Sequence, residues 1–539
     1  MIMKKTFNIK IMLMLVVALS VVSCTKNLNR KPFYDVTSAS VYTDFNNYKL
    51  ILAKMYAGIA VSGQKGPDGS PDLVGFDEGF SSYLRQYWQL QELPTDEAVI
   101  AWNDGTIKDL HYMTWTPSNE FIRMMYDRIF YQISLCNEFL RQTTDAKLSG
   151  NGISGANATE AKKYRAEARF LRALSYYHAL DFYGNVPFVT ENDPVGSFFP
   201  EQISRANLFT WLETELKSLE TSADMADPKT NEYGRVDKAG VWALLAKMYL
   251  NAEVYTGTAH YTDCITYCNK IISAGYSLTG NNEYNKLFLA DNNSSVAKNE
   301  NIFIIEFDGI RTKSWGAMTY LVHAPVGGSM NPANFGINGG WSGLRSTKSM
   351  YNLFQGSYPS GDSRAMFYTS GQNADIYDIS TFTDGYPITK YKNVKSTGGA
   401  GSDPAGNFPD TDFPLFRLAD VYLMYAESVI RGGTGGSSAT ALNYVNALKQ
   451  RAYGNASGNI TAGQLTLDYI LDERGRELSW EATRRTDLIR FGKFTGSNYL
   501  WQWKGNTMNG AAVGDYRKLY PIPATDIAAN PKLTQNTGY

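Results

Sequence analysis

The stretch that decides the fold is Ala243-Leu244-Leu245-Ala246-Lys247-Met248-Tyr249-Leu250. Small alanines alternate with large apolar residues at helical spacing. This alternation is typical of tetratricopeptide repeats, in which alanine lets paired helices approach closely. The surrounding segment 236–255 continues the same apolar stripe. It therefore predicts a helix that buries its apolar face against neighbouring helices, as in a helical repeat.

Further segments on both sides of this stretch show helical periodicity. The clearest is 157–184, where Asn157 and Glu160 have the spacing of a capping box and Gly184 ends the apolar stripe. The other predicted helices cover 206–219, 416–431, 439–452 and 464–491. We therefore expect a mostly α-helical protein, with a tetratricopeptide-like scaffold of helical hairpins packed as a short solenoid.

The middle of the chain differs from these helical segments. Residues 281–413 are rich in Gly, Asn, Ser, Asp and Tyr, and within them 301–307 has the pattern of a single strand. Long structured loops on a rigid scaffold commonly carry binding surfaces. We predict one domain over 24–539, in which 24–280 and 414–539 form the helical scaffold. The segment 281–413 is then a large, irregular, loop-rich insertion that carries the ligand face.

The N-terminus has the pattern of a bacterial lipoprotein precursor. Three lysines precede an apolar run that is too short to span a membrane comfortably, and the run ends in Val21-Val22-Ser23-Cys24. This is the lipobox pattern, in which the cysteine is acylated and cleavage occurs before it. We predict a signal peptide over 1–23 and a chain anchored by lipid on Cys24, outside the cytoplasm. The alternative is an ordinary secretory signal with a coincidental cysteine.

The composition narrows the classes of function. The 539 residues carry 51 Lys and Arg against 52 Asp and Glu, a net charge of -1, which lacks the electrostatic footprint of a nucleic-acid-binding protein. Four cysteines exclude a disulfide framework, and the four histidines do not have metal-site spacing. Aromatic residues reach 13%, with 36 Tyr, 26 Phe and 10 Trp. We interpret this excess as a surface that stacks on a flat and weakly charged ligand.

The residues that could carry catalysis or bind a metal have simpler structural interpretations. Glu473, Glu477 and Glu481 recur every four residues and could supply paired catalytic carboxylates. Arginines interleave with them, however, as in helical ion-pair networks. Cys264 and Cys268 lack a second ligand pair for a tetrahedral site, so we interpret them as buried apolar residues. The sequence has neither a nucleophile elbow nor a phosphate-binding glycine loop.

Three tryptophans, Trp102, Trp315 and Trp341, lie in loops rather than on helical stripes. Each is flanked by small or polar residues that cannot bury an indole locally. Sugar rings present C–H faces that pack on aromatic planes, while polar groups at the rim contact the hydroxyls. A single loop tryptophan is more simply a plug over the core. Three of them, two within one insertion, favour a binding surface.

Several motifs resemble the signature of the SusD/RagB family of outer-membrane nutrient-binding lipoproteins. They are Glu167-Ala-Arg-Phe-Leu-Arg-Ala173, Tyr183-Gly-Asn-Val-Pro187, Glu473-Arg-Gly-Arg-Glu-Leu478 and the closing Asn530-Pro-Lys-Leu-Thr-Gln-Asn-Thr-Gly-Tyr539. The resemblance covers essentially the whole mature chain. One departure is Glu481-Ala-Thr-Arg484, where the family usually has Glu-Gly-x-Arg.

The resemblance is strongest to the starch-binding members of the family, and it implies a ligand surface without catalysis. It implies an arc of aromatic rings that follows the curve of an α-1,4-glucan helix. The matching positions are Trp102, Trp315 and Trp341 for the rings, Asp77 and Arg85 for contacts with sugar hydroxyls, and Asn103 as a further candidate for such a contact. Ile100 stands where the starch binders have another aromatic residue.

The resemblance also implies a partner, a location and a metal. A SusC-like TonB-dependent transporter would receive starch or maltooligosaccharides from this protein, which closes over it as a lid at the outer-membrane surface. No cofactor is required, but the family can hold calcium, and Asp291, Asp410 and Asp412 offer hard oxygen ligands. The alternatives are a binder of a different glycan or peptide, a glycoside hydrolase, and a helical-repeat adaptor that binds only protein.

Overall fold

The computed structural model describes residues 38–354 and 361–539, and α-helices dominate it. The α-helices are α1 (Ser38–Val41), α2 (Asn46–Ala60), α3 (Tyr83–Glu92), α4 (Lys108–Tyr112), α5 (Glu120–Gln142), α6 (Asp145–Gly150), α7 (Gly155–Tyr183), α8 (Arg205–Thr221), α9 (Lys238–Leu250), α10 (Ala252–Thr256), α11 (Tyr261–Ile272), α12 (Ala317–His323), α13 (Lys348–Asn352), α14 (Leu418–Ile430), α15 (Ser438–Tyr453), α16 (Leu467–Leu478), α17 (Arg484–Arg490) and α18 (Ala524–Ala529). None of these helices is long and apolar enough to cross a membrane. The predicted signal peptide and Cys24 lie outside the described residues.

Short strands and 3-10 turns complete the described part of the chain. The strands are β1 (Val99–Ile100), β2 (Val186–Pro187), β3 (Gln202–Ile203), β4 (Asn301–Ile305), β5 (Leu344–Arg345) and β6 (Phe413–Arg417). They pair antiparallel as β1–β5, β2–β3 and β4–β6. The 3-10 helices are Tyr284–Phe288, Val296–Asn299, Pro332–Phe335, Ala456–Gly458, Ala462–Gln464, Lys504–Asn506 and Asp515–Lys518.

The long helices pack against their neighbours along the chain, as a solenoid requires. The packed pairs are α5 with α7, α7 with α8, α8 with α9, α9 with α11, α11 with α14, and α14 with α15. Ala243 and Ala246 of α9 are at most 1% exposed, and so are Leu244 and Leu245 between them. Their small side chains leave room for the adjacent helices. The prediction of a mostly α-helical, tetratricopeptide-like scaffold is confirmed.

Two predicted helices are each two helices in the structure. The segment 236–255 divides into α9 and α10 at Asn251, whose amide Nδ2 donates to the carbonyl oxygen of Lys247 at 2.9 Å. This side chain competes for a backbone acceptor and ends the first helix. The segment 464–491 divides into α16 and α17 because Trp480 and Ala482 both have φ of 60°. That left-handed turn directs the indole of Trp480 into the core, where it is fully buried.

Residues 301–305 of the predicted strand 301–307 form β4, and the last two residues of its partner β6 fall within the predicted helix 416–431. The expected helix 416–431 begins only at Leu418, because Phe416 and Arg417 belong to β6. Phe303 of β4 lies opposite Phe416 in the antiparallel register. This two-stranded sheet joins the loop-rich segment to the start of α14. It also directs the side chain of Arg417 into the interior of the protein.

The predicted ion-pair network is confirmed, and it is buried rather than exposed. Glu473 and Glu477 are 0% exposed, and Glu481 is 4% exposed. Arg417 pairs with Glu477 and Glu481 at 2.6 Å each and with Glu300 at 2.9 Å. Burial alone would raise the pKa of the Glu477 carboxyl, but the surrounding guanidinium groups outweigh it and hold the pKa at about 2. The carboxylates of Glu477 and Glu481 therefore connect α16 and the turn after it to Arg417 of β6.

The two cysteines on α11 are buried, as the sequence predicted. Cys264 and Cys268 are 0% exposed, and their sulfur atoms are 4.0 Å apart without forming a disulfide. Cys136 on α5 is also a buried free thiol, and burial raises its pKa to about 12. All three therefore act as small apolar side chains in the helical core.

Two further buried carboxylates, those of Glu92 and Glu97, join the end of α3 and the residues after it to the turn between α16 and α17. Glu92 accepts from the amide of Thr483 at 3.0 Å, and Glu97 accepts from the amide of Trp480 at 2.9 Å. Burial and then the neighbouring Glu97 raise the pKa of Glu92, and burial raises the pKa of Glu97 to about 7. Because an unfolded glutamate titrates near pH ~4.3, the folded protein retains protons here that the unfolded chain releases.

The pair should make the protein less stable as the pH rises. For Glu97 the contribution is fully present below about pH 4.3 and is lost once the pH passes its folded pKa of about 7. For Glu92, whose folded pKa is also raised, the contribution decreases over the same rise in pH. Glu92→Gln mimics the protonated form and keeps the acceptor for Thr483. We expect the variant to lose less stability than the wild type between pH 5 and pH 8, by on the order of 2 kcal/mol. Urea unfolding at both values measures this.

A matched control for this prediction is Glu201→Gln, at an exposed glutamate whose side chain is 79% accessible. That variant should follow the pH dependence of the wild type. If the stability of Glu92→Gln and that of the wild type change equally between pH 5 and pH 8, the buried pair does not retain protons in the folded protein.

Candidate functional site

The pairing of β1 with β5 brings two of the loop tryptophans together. Trp102 follows β1 by two residues and Trp341 precedes β5 by three. The pair of strands is extended by a hydrogen bond from the amide of Ala101 to the carbonyl of Gly343 at 2.9 Å. In an antiparallel pair the end of one strand lies beside the start of the other. The two indole rings are therefore 6.2 Å apart, with their planes at 48°.

Trp315, just before α12, adds a third ring to the same surface. Its centroid lies 6.4 Å from that of Trp341, and the planes meet at 52°. All three indoles are partly exposed. Trp341 is thus the central ring, with Trp102 and Trp315 as its two neighbours, each turned by about 50° from it. We call these three rings the tryptophan surface.

Hydrogen bonds and stacking hold the three indoles in place. Trp102 donates from Nε1 to the carbonyl oxygen of Trp341 at 3.0 Å, and Trp315 donates from Nε1 to the carboxylate of Asp68 at 2.7 Å. Trp341 stacks on the imidazole of His323 at 4.8 Å and 26°. The ring planes are therefore set by the protein before any ligand arrives.

The backbone near the tryptophan surface adopts conformations that are uncommon for residues with side chains. Ala317 has φ of 49° and Ser342 has φ of 50°, both in the left-handed region. Gly343 lies flat against Trp102, so that a Cβ at this position would come within 2.5 Å of the indole. Such strained positions are often found at binding sites. Here they aim the loops that carry Trp315 and Trp341.

The polar candidates lie beside or beneath the rings. Arg85 on α3 is 4% exposed, and its guanidinium lies 4.3 Å from the ring of Tyr320 and 5.9 Å from that of Trp102. Burial lowers the pKa of Arg85 to about 10. Its Nη1 donates to the carbonyl of Gly79 at 2.8 Å, while its buried Nε has no partner. Arg85 therefore lies under the tryptophan surface.

Asp77 and Asn103 are exposed at opposite sides of the same surface. Asp77 accepts from the amide of Gly79 at 2.8 Å, and a Cβ on Gly79 would lie 3.3 Å from the Cβ of Trp315. Asn103 directly follows Trp102 and faces solvent. The structure thus brings all six predicted residues to one region. Their contacts with a ligand remain a prediction.

Comparison with known sequences identifies the family. Residues 33–250 match the family described as starch-binding associating with outer membrane, and residues 360–539 match the SusD family. The chain is 36% identical to the starch-binding protein SusD of Bacteroides thetaiotaomicron, over 98% of each chain. The chain belongs to the SusD family. It is also 24% identical to the SusD-like protein P2 of Formosa agariphila, over 81% of this chain and 84% of the relative.

Solved structures of SusD-family proteins share the fold. A SusD superfamily protein from Bacteroides thetaiotaomicron superposes with a TM-score of 0.69 at 18% identity, covering 91% of this chain and 99% of its own. The surface glycan-binding protein A of the same organism, solved in complex with laminarihexaose, superposes with a TM-score of 0.66 at 20% identity over the same shares of the two chains. These two superpositions establish that the proteins share the same overall fold.

The three aspartates that the SusD-family resemblance suggests for calcium each have a hydrogen-bond partner within the protein. Within residues 38–354 and 361–539, no group of three or more acidic, histidine or cysteine side chains is arranged to hold a metal. Each carboxylate instead accepts from a hydroxyl of the protein, namely Asp291 from Ser396, Asp410 from Ser402 and Asp412 from Tyr233. Burial also raises the pKa of Asp412 to about 7, which weakens it as a ligand. Calcium binding by these aspartates stays a prediction.

Sequence reasoning missed residues that support the tryptophan surface. The ring of Phe408 packs 4.8 Å from Trp315 and is 5% exposed. His323 lies beneath Trp341, with its ring nitrogens 2.7 and 2.8 Å from backbone carbonyls. Asp68 accepts the hydrogen bond from Nε1 of Trp315. None of these residues has a local spacing that reveals its partner, since Asp68 and Trp315 are 247 positions apart.

The rings of the tryptophan surface are each partly exposed. A cavity of about 480 Å³ lies elsewhere, between α2, the loop around Tyr233 and β4, and its lining includes Leu52, Ala57 and Ile304. A partly exposed platform of rings suits part of a long chain, whereas small molecules usually occupy concave pockets.

Proposed function

We propose that this SusD-family protein binds α-1,4-linked glucans, such as starch chains and maltooligosaccharides, on the tryptophan surface. The observation that carries the proposal is the inclination of the three rings to one another, which we take to form a curved surface. Successive indole planes turn by 48° and 52° at separations of 6.2 and 6.4 Å. An α-1,4-glucan coils, so successive sugar faces also turn, whereas a β-1,4-glucan is a straight ribbon.

Stacking supplies the main attraction in this proposal, and polar side chains act at the edge. The C–H faces of glucose units pack on the rings, which excludes water from apolar surface on both sides. The indole N–H groups of Trp102 and Trp315 already donate within the protein, so they are not available to the ligand. Asp77 and Asn103 are exposed and can exchange hydrogen bonds with hydroxyls. Arg85 is placed to support the rings from below and to offer its unpartnered Nε if the loops move.

Binding without cleavage is supported by the state of the carboxylates that the sequence singled out. Glu473, Glu477 and Glu481 are buried among arginines and do not reach the tryptophan surface with a free oxygen. A retaining or inverting hydrolase needs two accessible carboxyl groups flanking the bond. Incubation with starch should therefore release no reducing ends.

The proposed role places the protein at the outer membrane, beside a transporter. The family match described as associating with outer membrane supports this location. In the proposal, lipid on Cys24 anchors the chain, and a SusC-like TonB-dependent transporter receives the bound oligosaccharide. Co-purification of such a transporter would support this part of the proposal independently of the ligand.

Glycan selectivity tests the proposal directly. Calorimetry with the mature lipidated chain in detergent should detect binding of maltoheptaose. We expect cellohexaose to bind at least ~10-fold more weakly, a difference of about 1.4 kcal/mol, because a straight chain meets only part of a curved platform. The proposal fails if cellohexaose binds as tightly as maltoheptaose.

Laminarihexaose is the third ligand for this experiment. The solved complex of a SusD-fold relative with laminarihexaose makes a β-1,3-glucan the second candidate, since this polymer also coils. Tighter binding of laminarihexaose than of maltoheptaose would replace starch with that glucan. The curved surface would remain the binding site in that case.

A further inference from the structure

The loop between β2 and β3 ends in an exposed apolar tip. Residues 194–200 read Pro-Val-Gly-Ser-Phe-Phe-Pro and contain no charged side chain. Val195 is 77% exposed, Phe199 is 53% exposed and Phe198 is 37% exposed. A Cβ on Gly196 would meet no atom within 4 Å, so the turn projects into open space. Three large apolar side chains on one short projection are unusual for a surface that stays in water.

The base of this loop is held firmly, so the tip is presented rather than left loose. Phe188 packs on Trp211 at 5.1 Å, next to β2. Arg141 of α5 donates from Nε to the carbonyl of Glu191 at 2.9 Å. On the other side, Asn530 donates from Nδ2 to the carbonyl of Pro200 at 3.0 Å. A rigid base lowers the conformational entropy that the tip would lose on contact.

The base of this loop and the start of the described chain both contact α5. Asn137, in the last turns of α5, donates to the carbonyl of Val189 at 3.0 Å. Two residues on, Phe139 packs against Tyr42 at 6.2 Å, just after α1. Side chains two residues apart point to nearly opposite sides of a helix. The base of the loop and the start of the described chain thus lie on two sides of one helix, whose diameter is ~10–12 Å.

We propose that residues 194–199 insert shallowly into the lipid surface to which the chain is tethered. The inference rests on the lipid anchor of the proposed function. Cys24 precedes the first described residue by 14 positions, a span of at most ~50 Å. A tether of this length keeps the tip at high effective concentration near the bilayer, so weak apolar insertion suffices. The uncharged tip desolvates no ion when it enters the boundary between headgroups and acyl chains.

A lipid surface fits the tip better than a protein partner. The tip is convex, its side chains point outward, and it offers no charged group for pairing. Protein interfaces usually combine an apolar centre with a polar rim that provides directed hydrogen bonds. A single uncharged projection close to an anchored terminus instead resembles the apolar edge of a membrane-surface element.

The test places a dye at the tip of the mature lipidated chain in phosphatidylcholine vesicles. Ser197→Cys gives one accessible thiol, because Cys136, Cys264 and Cys268 are buried. Labelled with an environment-sensitive fluorophore, it should show blue-shifted emission and strong quenching by spin-labelled lipids. Ser457→Cys, exposed in the 3-10 helix Ala456–Gly458, is the matched control and should be quenched only by iodide in the water.

Further arms make every outcome decisive. The change of both Phe198→Ser and Phe199→Ser in the labelled chain should abolish quenching by lipids while maltoheptaose binding is retained, since both rings are exposed. The proposal is overturned if the Ser197 label behaves like the control, or if it is shielded only after a transporter is added to the vesicles. Failure of the vesicles to carry the chain in flotation would overturn the anchor itself and leave the glucan surface standing.

Discussion

Arg417→Met should lower the free energy of unfolding by about 3–5 kcal/mol. Arg417 is 1% exposed and its guanidinium pairs with Glu300, Glu477 and Glu481. Methionine preserves much of the aliphatic volume but leaves these buried carboxylates short of positive charge. The loss is large because a buried charge without its partner carries its full desolvation penalty. Urea unfolding followed by circular dichroism measures the change.

Arg311→Met is the matched control for this prediction. Arg311 also pairs with a carboxylate, Asp308, at 2.6 Å, but its side chain is 81% accessible. An exposed pair contributes at most about 1 kcal/mol, so the control should unfold close to the wild type. If both variants lose equally little, the buried network does not contribute what its geometry indicates. Because Arg451 still pairs with Glu300 and Glu477, the fold should persist in Arg417→Met.

Trp341→Ala should weaken binding of maltoheptaose by ~30-fold or more, equivalent to about 2 kcal/mol. Trp341 is the central ring of the tryptophan surface and neighbours both Trp102 and Trp315. Its removal leaves a gap between two platforms that a coiled glucan must bridge. Calorimetry at constant temperature measures the dissociation constant, and circular dichroism checks that the helical fold is intact.

The control for this loss is Trp242→Ala. Trp242 is a partly exposed tryptophan on α9, where its Nε1 donates to Glu220 at 3.1 Å. The substitution removes an indole from the helical solenoid and leaves the tryptophan surface unchanged. Affinity should therefore stay within a factor of about two of the wild type. Equal losses in the two variants would assign the effect to stability and not to stacking.

The existence of the helices was readable from periodicity, but two of their ends were not. Segment 236–255 has an unbroken apolar stripe, yet Asn251 ends α9 with a local side-chain hydrogen bond. Trp480 breaks 464–491 because its indole is required under α3, where Trp88 donates to the Trp480 carbonyl across 392 positions. A local pattern contains no information about such a distant partner.

The sequence identified the three rings of the candidate site, but it did not predict how they are arranged. Trp102, Trp315 and Trp341 stood out because their loop neighbours cannot bury an indole. Their meeting depends on β1 and β5, two strands of two residues each. Strands this short leave no alternation to detect. The same limit applies to Asp291, Asp410 and Asp412, since three aspartates in one loop-rich segment imply nothing about where their carboxylates point.

The long-range contacts of the segment 473–490 affect how the chain becomes a protein. Arg484 pairs with Asp96, which lies 388 positions earlier in the chain. Arg417 pairs with Glu477 and Glu481, which lie later in the chain. Helical repeats can in general fold piece by piece as they emerge. Here Asp96, near the start of the described chain, is paired by a residue that is made late in synthesis. A chain made from its N-terminus therefore lacks these buried ion pairs until residue 484 has been synthesised.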